Sequence, residues 1–114
     1  MENTTININE ATIKNFVASI RPEDIEIRKQ LDFGYSFDKN IVILYEIRPD
    51  WLNPEEKNHI EFAKIRFYKS KLEWNLYWMR ASEKWELYKP FPKSTHLDEI
   101  IQIIKKDKNG CFFG

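Results

Sequence analysis

AKIRFYKSKLEWNLYWMRASEKWELY, residues 63–88, is the stretch on which the fold turns. Apolar and polar side chains alternate through it, the period of a strand with one buried face. Folding it back at Ser70-Lys71 sets Phe67 opposite Trp74, Ile65 opposite Leu76 and Ala63 opposite Trp78. A slip of one residue mixes Trp with Glu and Arg on one face, so the parity selects this register. A second turn at Ala81-Ser82 sets Trp78 against Trp85 and Leu76 against Leu87. Three strands then share a tryptophan-rich face. Their other face displays Lys64, Arg66, Tyr68, Glu73, Asn75, Tyr77, Met79, Lys84, Glu86 and Tyr88.

Upstream, IRKQLDFGYSF (27–37) alternates in the same way, with Leu31, Phe33, Tyr35 and Phe37 on one side. A loop of Asp38-Lys39-Asn40 with a left-handed Asn40 predicts pairs Phe37 with Ile41, Tyr35 with Ile43, Phe33 with Tyr45 and Leu31 with Ile47. The Pro- and charge-rich NPEEKNH (53–59) connects this hairpin to the quoted stretch.

Helical spacing appears only at the two ends. Residues 9–21, NEATIKNFVASIR, place Ala11, Ile13, Phe16, Val17 and Ile20 on one side, with Asn9 as cap and Pro22 as stop. HLDEIIQIIKK (96–106) does the same with Leu97, Ile100, Ile101 and Ile104. Thr95 or Ser94 caps its start, lysines suit its end, and Asn109-Gly110 offers a left-handed stop. The expected fold is therefore α+β: a five-stranded antiparallel meander sheet flanked by an N-terminal and a C-terminal helix, with the apolar C-terminal tail packed onto the core. Residues 1–114 form one domain, in which residues 1–8 are expected to be a flexible or loosely packed segment.

Composition narrows the function classes. Charged residues at 32% and aromatics at 15% describe a globular chain rather than a disordered one. Net charge is zero, which argues against whole-molecule attraction to nucleic acid or anionic lipid. The charge is nonetheless segregated: residues 1–63 hold 7 basic and 12 acidic side chains, and residues 64–93 hold 8 and 3. An anionic partner should meet the middle segment. No stretch approaches the roughly 18 apolar residues of a membrane span, and Met1–Glu10 is unlike a signal peptide, so a cytoplasmic protein without membrane contact is expected. A single Cys with His59 and His96 gives no zinc spacing. No metal and no cofactor is expected.

Three features bear on chemistry. The terminal Cys111-Phe112-Phe113-Gly114 has a Cys where a prenylation box has one, but two Phe replace the aliphatic pair and Gly is an unusual last residue. The expectation is that Phe112 and Phe113 pack on the domain, with Cys111 a small hydrophobe rather than a reactive thiol. Asp32 lies opposite Glu46 in the first hairpin's expected register, which would suit a small metal-dependent hydrolase. Neutralisation of that pair by Arg48 or Arg28 is the preferred reading. Finally, Lys64, Arg66, Tyr68, Tyr77, Lys84 and Tyr88 combine cations with aromatic rings on one sheet face, as surfaces that bind single-stranded nucleic acid do. A homodimer interface would use the same rings. No Ser-His-Asp order, phosphate loop or histidine pair suggests a catalytic residue.

Three segments, YEIRPDW (45–51), residues 63–88 and DKNGCFFG (107–114), together resemble an uncharacterised bacterial family, domain of unknown function 3024. The resemblance covers most of the chain after about residue 26, with Arg48, Pro49, Trp51, Lys64, Trp74, Trp78, Arg80, Trp85 and Tyr88 matching its pattern. It implies a small, stand-alone cytoplasmic protein with the tail as part of the fold. It assigns no functional residue. The sequence thus points to a non-catalytic binding or interaction module, with single-stranded nucleic acid or a second copy of itself as partner.

Overall fold

The computed structural model describes residues 4–113, with side chains from Asn9 onward. Helix α1 (Thr4–Ile20) is followed by a short α2 (Ile25–Arg28) and five consecutive strands: β1 (Asp32–Asp38), β2 (Ile41–Pro49), β3 (Lys57–Tyr68), β4 (Glu73–Met79) and β5 (Trp85–Leu87). A two-residue β6 (Lys93–Ser94) and helix α3 (Leu97–Lys106) complete the chain. The sheet order is β1-β2-β3-β4-β5, all antiparallel, with β6 pairing β4 beyond the end of β5. This is the α+β meander flanked by terminal helices. Strands β5 and β6 share one edge position, interrupted where Lys89–Phe91 loops out of the sheet between Tyr88 and Pro92.

Both long helices pack on one face. Ile13, Phe16 and Val17 of α1 and Leu97, Ile100, Ile101 and Ile104 of α3 are buried against Val42, Leu44, Phe62, Ala63, Ile65, Trp74 and Leu76 of the sheet. Burying each large aliphatic side chain contributes roughly 1.5–3 kcal/mol, so the two apolar stripes dock the layer. Helix α1 begins by Thr4, so Asn9 lies inside it and is not its cap. Within the segment expected to be loose, residues 4–8 have helical backbone and residues 1–3 lie outside the described residues. For α3 the cap is His96, whose backbone N–H donates to Ser94 Oγ.

Helix α3 ends at Asp107, which takes the left-handed conformation (φ 45°) expected of Asn109-Gly110. Its carboxylate then accepts the backbone N–H groups of Phe112 (3.0 Å) and Phe113 (2.7 Å). This folds the tail back onto the domain. Phe112 is buried against Tyr88, while Phe113 sits at the edge of the core with its ring against Phe33 and Phe62. Burial, with Asp107 nearby, raises the pKa of the Cys111 thiol.

The central register is as expected: Ala63 pairs with Trp78, Ile65 with Leu76 and Phe67 with Trp74. The flanking hairpins each differ by one residue. Between β1 and β2 the loop is only Lys39-Asn40, with Lys39 left-handed (φ 56°), so Phe37 pairs with Val42, Tyr35 with Leu44 and Phe33 with Glu46. A two-residue hairpin that is left-handed at its first position suits the twist of the strands. Val42 and Leu44 therefore face the core, and Ile41, Ile43, Tyr45 and Ile47 turn to the other side. Between β4 and β5 the loop closes with Arg80 N–H on the Lys84 carbonyl and Glu83 left-handed (φ 64°). Trp85 consequently pairs with Met79, and Leu87 with Tyr77. A bulge completes the pattern: the β2–β3 register skips Phe62, leaving Phe62 and Ala63 both buried.

Candidate functional site

The face opposite the helices is built in rows. Ser36, Ile43, Lys64, Tyr77 and Leu87 lie side by side across the sheet, and Asp38, Ile41, Arg66, Asn75 and Lys93 form the next row. Tyr45 lies over Gly34 on β1 and stacks on His59, with ring centroids 4.4 Å apart. The strands thus carry a mixed surface of rings, aliphatic side chains and cations.

Four of the expected site residues come together at its centre. Lys64 Nζ stands 5.1 Å from the centroid of the Tyr77 ring, and the Arg66 guanidinium carbon 4.8 Å from that of Tyr68. The two phenol oxygens share a hydrogen bond of 3.1 Å, tying the cation–ring pairs into one unit. Burial, reinforced by the bond to Tyr68, raises the Tyr77 pKa, so this ring is neutral across the physiological range. Carboxylates tie up other cations, including Arg21, Arg48, Arg80 and Lys93. Among the described residues neither Lys64 nor Arg66 has such a partner.

The other two expected residues are elsewhere. Lys84 is exposed in the β4–β5 turn, and Tyr88 is 3% exposed, its ring against Phe112 and its hydroxyl accepting from Asn109 Nδ2. Glu83 causes both displacements by taking the left-handed position that lengthens the loop by one residue. Trp85 and Leu87 occupy the places expected for Lys84 and Glu86. Tyr45, Ile41 and Ile43 also join the face, unforeseen because β2 is apolar on both sides, and His59 joins it because β3 already begins at Lys57, inside the 53–59 stretch expected to be a connection.

The carboxylates of the hydrolase reading are not brought together. Asp32 pairs with Ile47 and Glu46 with Phe33, so strand alternation puts the two acids on opposite faces. Arg21 grips Asp32 through two 2.8 Å bonds, and Arg48 binds Glu46 at 2.9 Å. Arg48 is thus one of the two neutralising cations, but Arg21 and not Arg28 forms the ion pair with Asp32. Among the described residues no cluster of three His, Cys, Asp or Glu could hold a metal ion.

The segments that carry the family resemblance occupy defined places. Residues 63–88 form the centre of the sheet, and residues 107–113 form the clasped tail. Around Asp50, the carboxylate accepts from Leu52 N–H, Asn53 N–H and Asn58 Nδ2, which holds Trp51 outward at 85% exposure. The model of the family described as domain of unknown function (DUF3024) matches residues 1–114. The chain belongs to the DUF3024 family. No curated protein and no solved structure matches it. For this DUF3024 chain no described helix is long and apolar enough to cross a membrane.

Proposed function

We propose that the chain is a non-catalytic binding module whose open sheet face takes single-stranded nucleic acid. The observation that carries this reading is the pairing of two carboxylate-free cations, Lys64 and Arg66, with the rings of Tyr77 and Tyr68 on the central strands. A strand crossing the face can set its phosphates on these cations and stack bases on the guanidinium plane and on Tyr45, His59 or Trp85. Most of the positive charge of residues 64–93 lies around the same face and its turns. The reading takes the protein as cytoplasmic, in keeping with the polar, acidic Met1–Glu10.

Self-association through this face is the second reading. Ile41, Ile43, Met79 and Leu87 give it an apolar content beyond what nucleic acid needs. Fluorescence anisotropy with a labelled single strand of about 10 nucleotides at low salt, paired with sedimentation of the free protein, separates the two. Nucleic-acid binding should weaken with salt with a log–log slope of about −1.4 for two phosphate contacts, and Lys64→Glu with Arg66→Glu should abolish it. An absence of binding in the parent protein overturns the first reading. A concentration-dependent dimer lost in Ile43→Lys would then support the second.

A further inference from the structure

The edge of the sheet is broken at Tyr88–Pro92 in a specific way. Tyr88 N–H donates to the Leu76 carbonyl, and Leu76 N–H returns a bond to the Pro92 carbonyl. The ladder on β4 therefore brackets Lys89, Pro90 and Phe91, which are looped out and closed by a turn from Phe91 N–H to the Tyr88 carbonyl. Such excursions sacrifice strand pairing and re-aim side chains. Here Pro90 and Phe91 are carried toward the C-terminal end of α3.

Between them lies a cavity of about 390 Å³, within the range of small-molecule sites. Its walls are Pro90, Phe91, Ile103 and the ring of Tyr88, and Lys106 and Lys108 stand on its lining. The Asn109 amide donates to the Tyr88 hydroxyl at 3.0 Å, which fixes the wall. None of the described lining residues is a carboxylate, and neither lysine is paired with one among the described residues. An apolar wall with two lysines and no carboxylate on its lining complements a ligand that has an apolar body and an anionic head.

We propose that this cleft, formed by the Tyr88–Pro92 excursion and the end of α3, binds a small amphipathic carboxylate. The apolar body, an aromatic ring or branched chain, lies against Phe91, Pro90 and Ile103, and the carboxylate meets Lys106 and Lys108. The site is built from other residues than the open sheet face and stands independently of its function.

The probe is 4-isopropylbenzoate, with neutral 4-isopropylbenzamide as its control, titrated into the full chain and followed by amide chemical shifts. The carboxylate should move the signals of Tyr88, Lys89, Phe91 and Ile103–Asn109 in a saturable way. Lys106→Gln with Lys108→Gln should weaken it about tenfold, the scale of two exposed charge contacts. Phe91→Ala should weaken both probes alike, which reports the apolar wall separately from the charge. No saturable shift up to ~10 mM, or equal affinity for the amide and the carboxylate, overturns the proposal.

Discussion

The ring of Tyr45 lies so close over Gly34 that a Cβ at position 34 would sit 2.7 Å from Tyr45 Cε1. Glycine is otherwise a poor strand residue, costing about 0.5–1 kcal/mol relative to alanine. Its use here is to seat the ring, which also stacks on His59. Gly34→Ala should therefore destabilise the parent protein by about 1 kcal/mol, yet be neutral or stabilising in a Tyr45→Ala background. Denaturant unfolding of the four proteins in this cycle checks the reversal of sign. Equal effects in both backgrounds would remove the seating role.

Lys84 and Tyr88 offer a second contrast, because neither stands on the open face. Lys84→Glu should leave folding unchanged and lower nucleic-acid affinity far less than Lys64→Glu. Tyr88→Ala should cost about 3 kcal/mol or more by emptying a core position against Phe112. Anisotropy and thermal melts of the three variants read both quantities. If Lys84→Glu matches Lys64→Glu, long-range charge and not the cation–ring unit governs binding.

In the tail, Phe112→Ala should lower stability by about 3 kcal/mol or more, whereas Phe113→Ala should cost clearly less because Phe113 is 36% exposed. Asp107→Ala removes the acceptor of both backbone bonds and should cost about 1–3 kcal/mol. Urea midpoints give this order directly. A Phe113 effect larger than that of Phe112 contradicts the packing described.

Acid sensitivity follows from the Arg21–Asp32 clasp. The guanidinium bond holds the Asp32 carboxyl below its usual range, against an opposing effect of burial. The unfolded chain then binds more protons as the pH falls, so the clasp's stabilisation is complete above about pH 4 and lost as the pH drops through the lowered value. With Arg21 41% exposed, its worth is about 0–1 kcal/mol. Asp32→Asn should reduce stability at neutral pH by that amount and flatten, without abolishing, the acid limb. Asp50, lowered chiefly by its bond from Asn58 and then by Asn53 N–H, contributes to the same limb. An unaltered pH profile in Asp32→Asn contradicts the clasp.

How far the molecule could be read from its sequence depended on which strands were one-sided. Trp74, Trp78 and their partners on β3 allow one parity only, and the helical stripes of Ile13–Val17 and Leu97–Ile104 are equally unambiguous. In β2 both faces are apolar, so parity could not choose between a two- and a three-residue loop. Lys39 and Glu83 then adopt left-handed backbone, a conformation to which Asn and Gly are better suited. Those two residues decide whether Ile43, Tyr45, Trp85 and Leu87 or Val42, Lys84 and Tyr88 reach the open face. The adjacent apolar pair Phe62-Ala63, breaking an otherwise alternating run, was the visible trace of the bulge.

The two-sided character of β2 also matters before the sheet exists. Ile41–Ile47, IVILYEI, combines high β-propensity with a single charge and no proline, the makeup of segments that stack with their own kind. In the folded chain β1 and β3 occupy both its edges. During synthesis and refolding nothing does, and the flanking Asp38, Lys39, Arg48 and Pro49 then act as gatekeepers. Their contribution belongs to yield more than to stability: replacing Arg48 and Pro49 by apolar residues is expected to fill inclusion bodies while the soluble fraction melts almost as before.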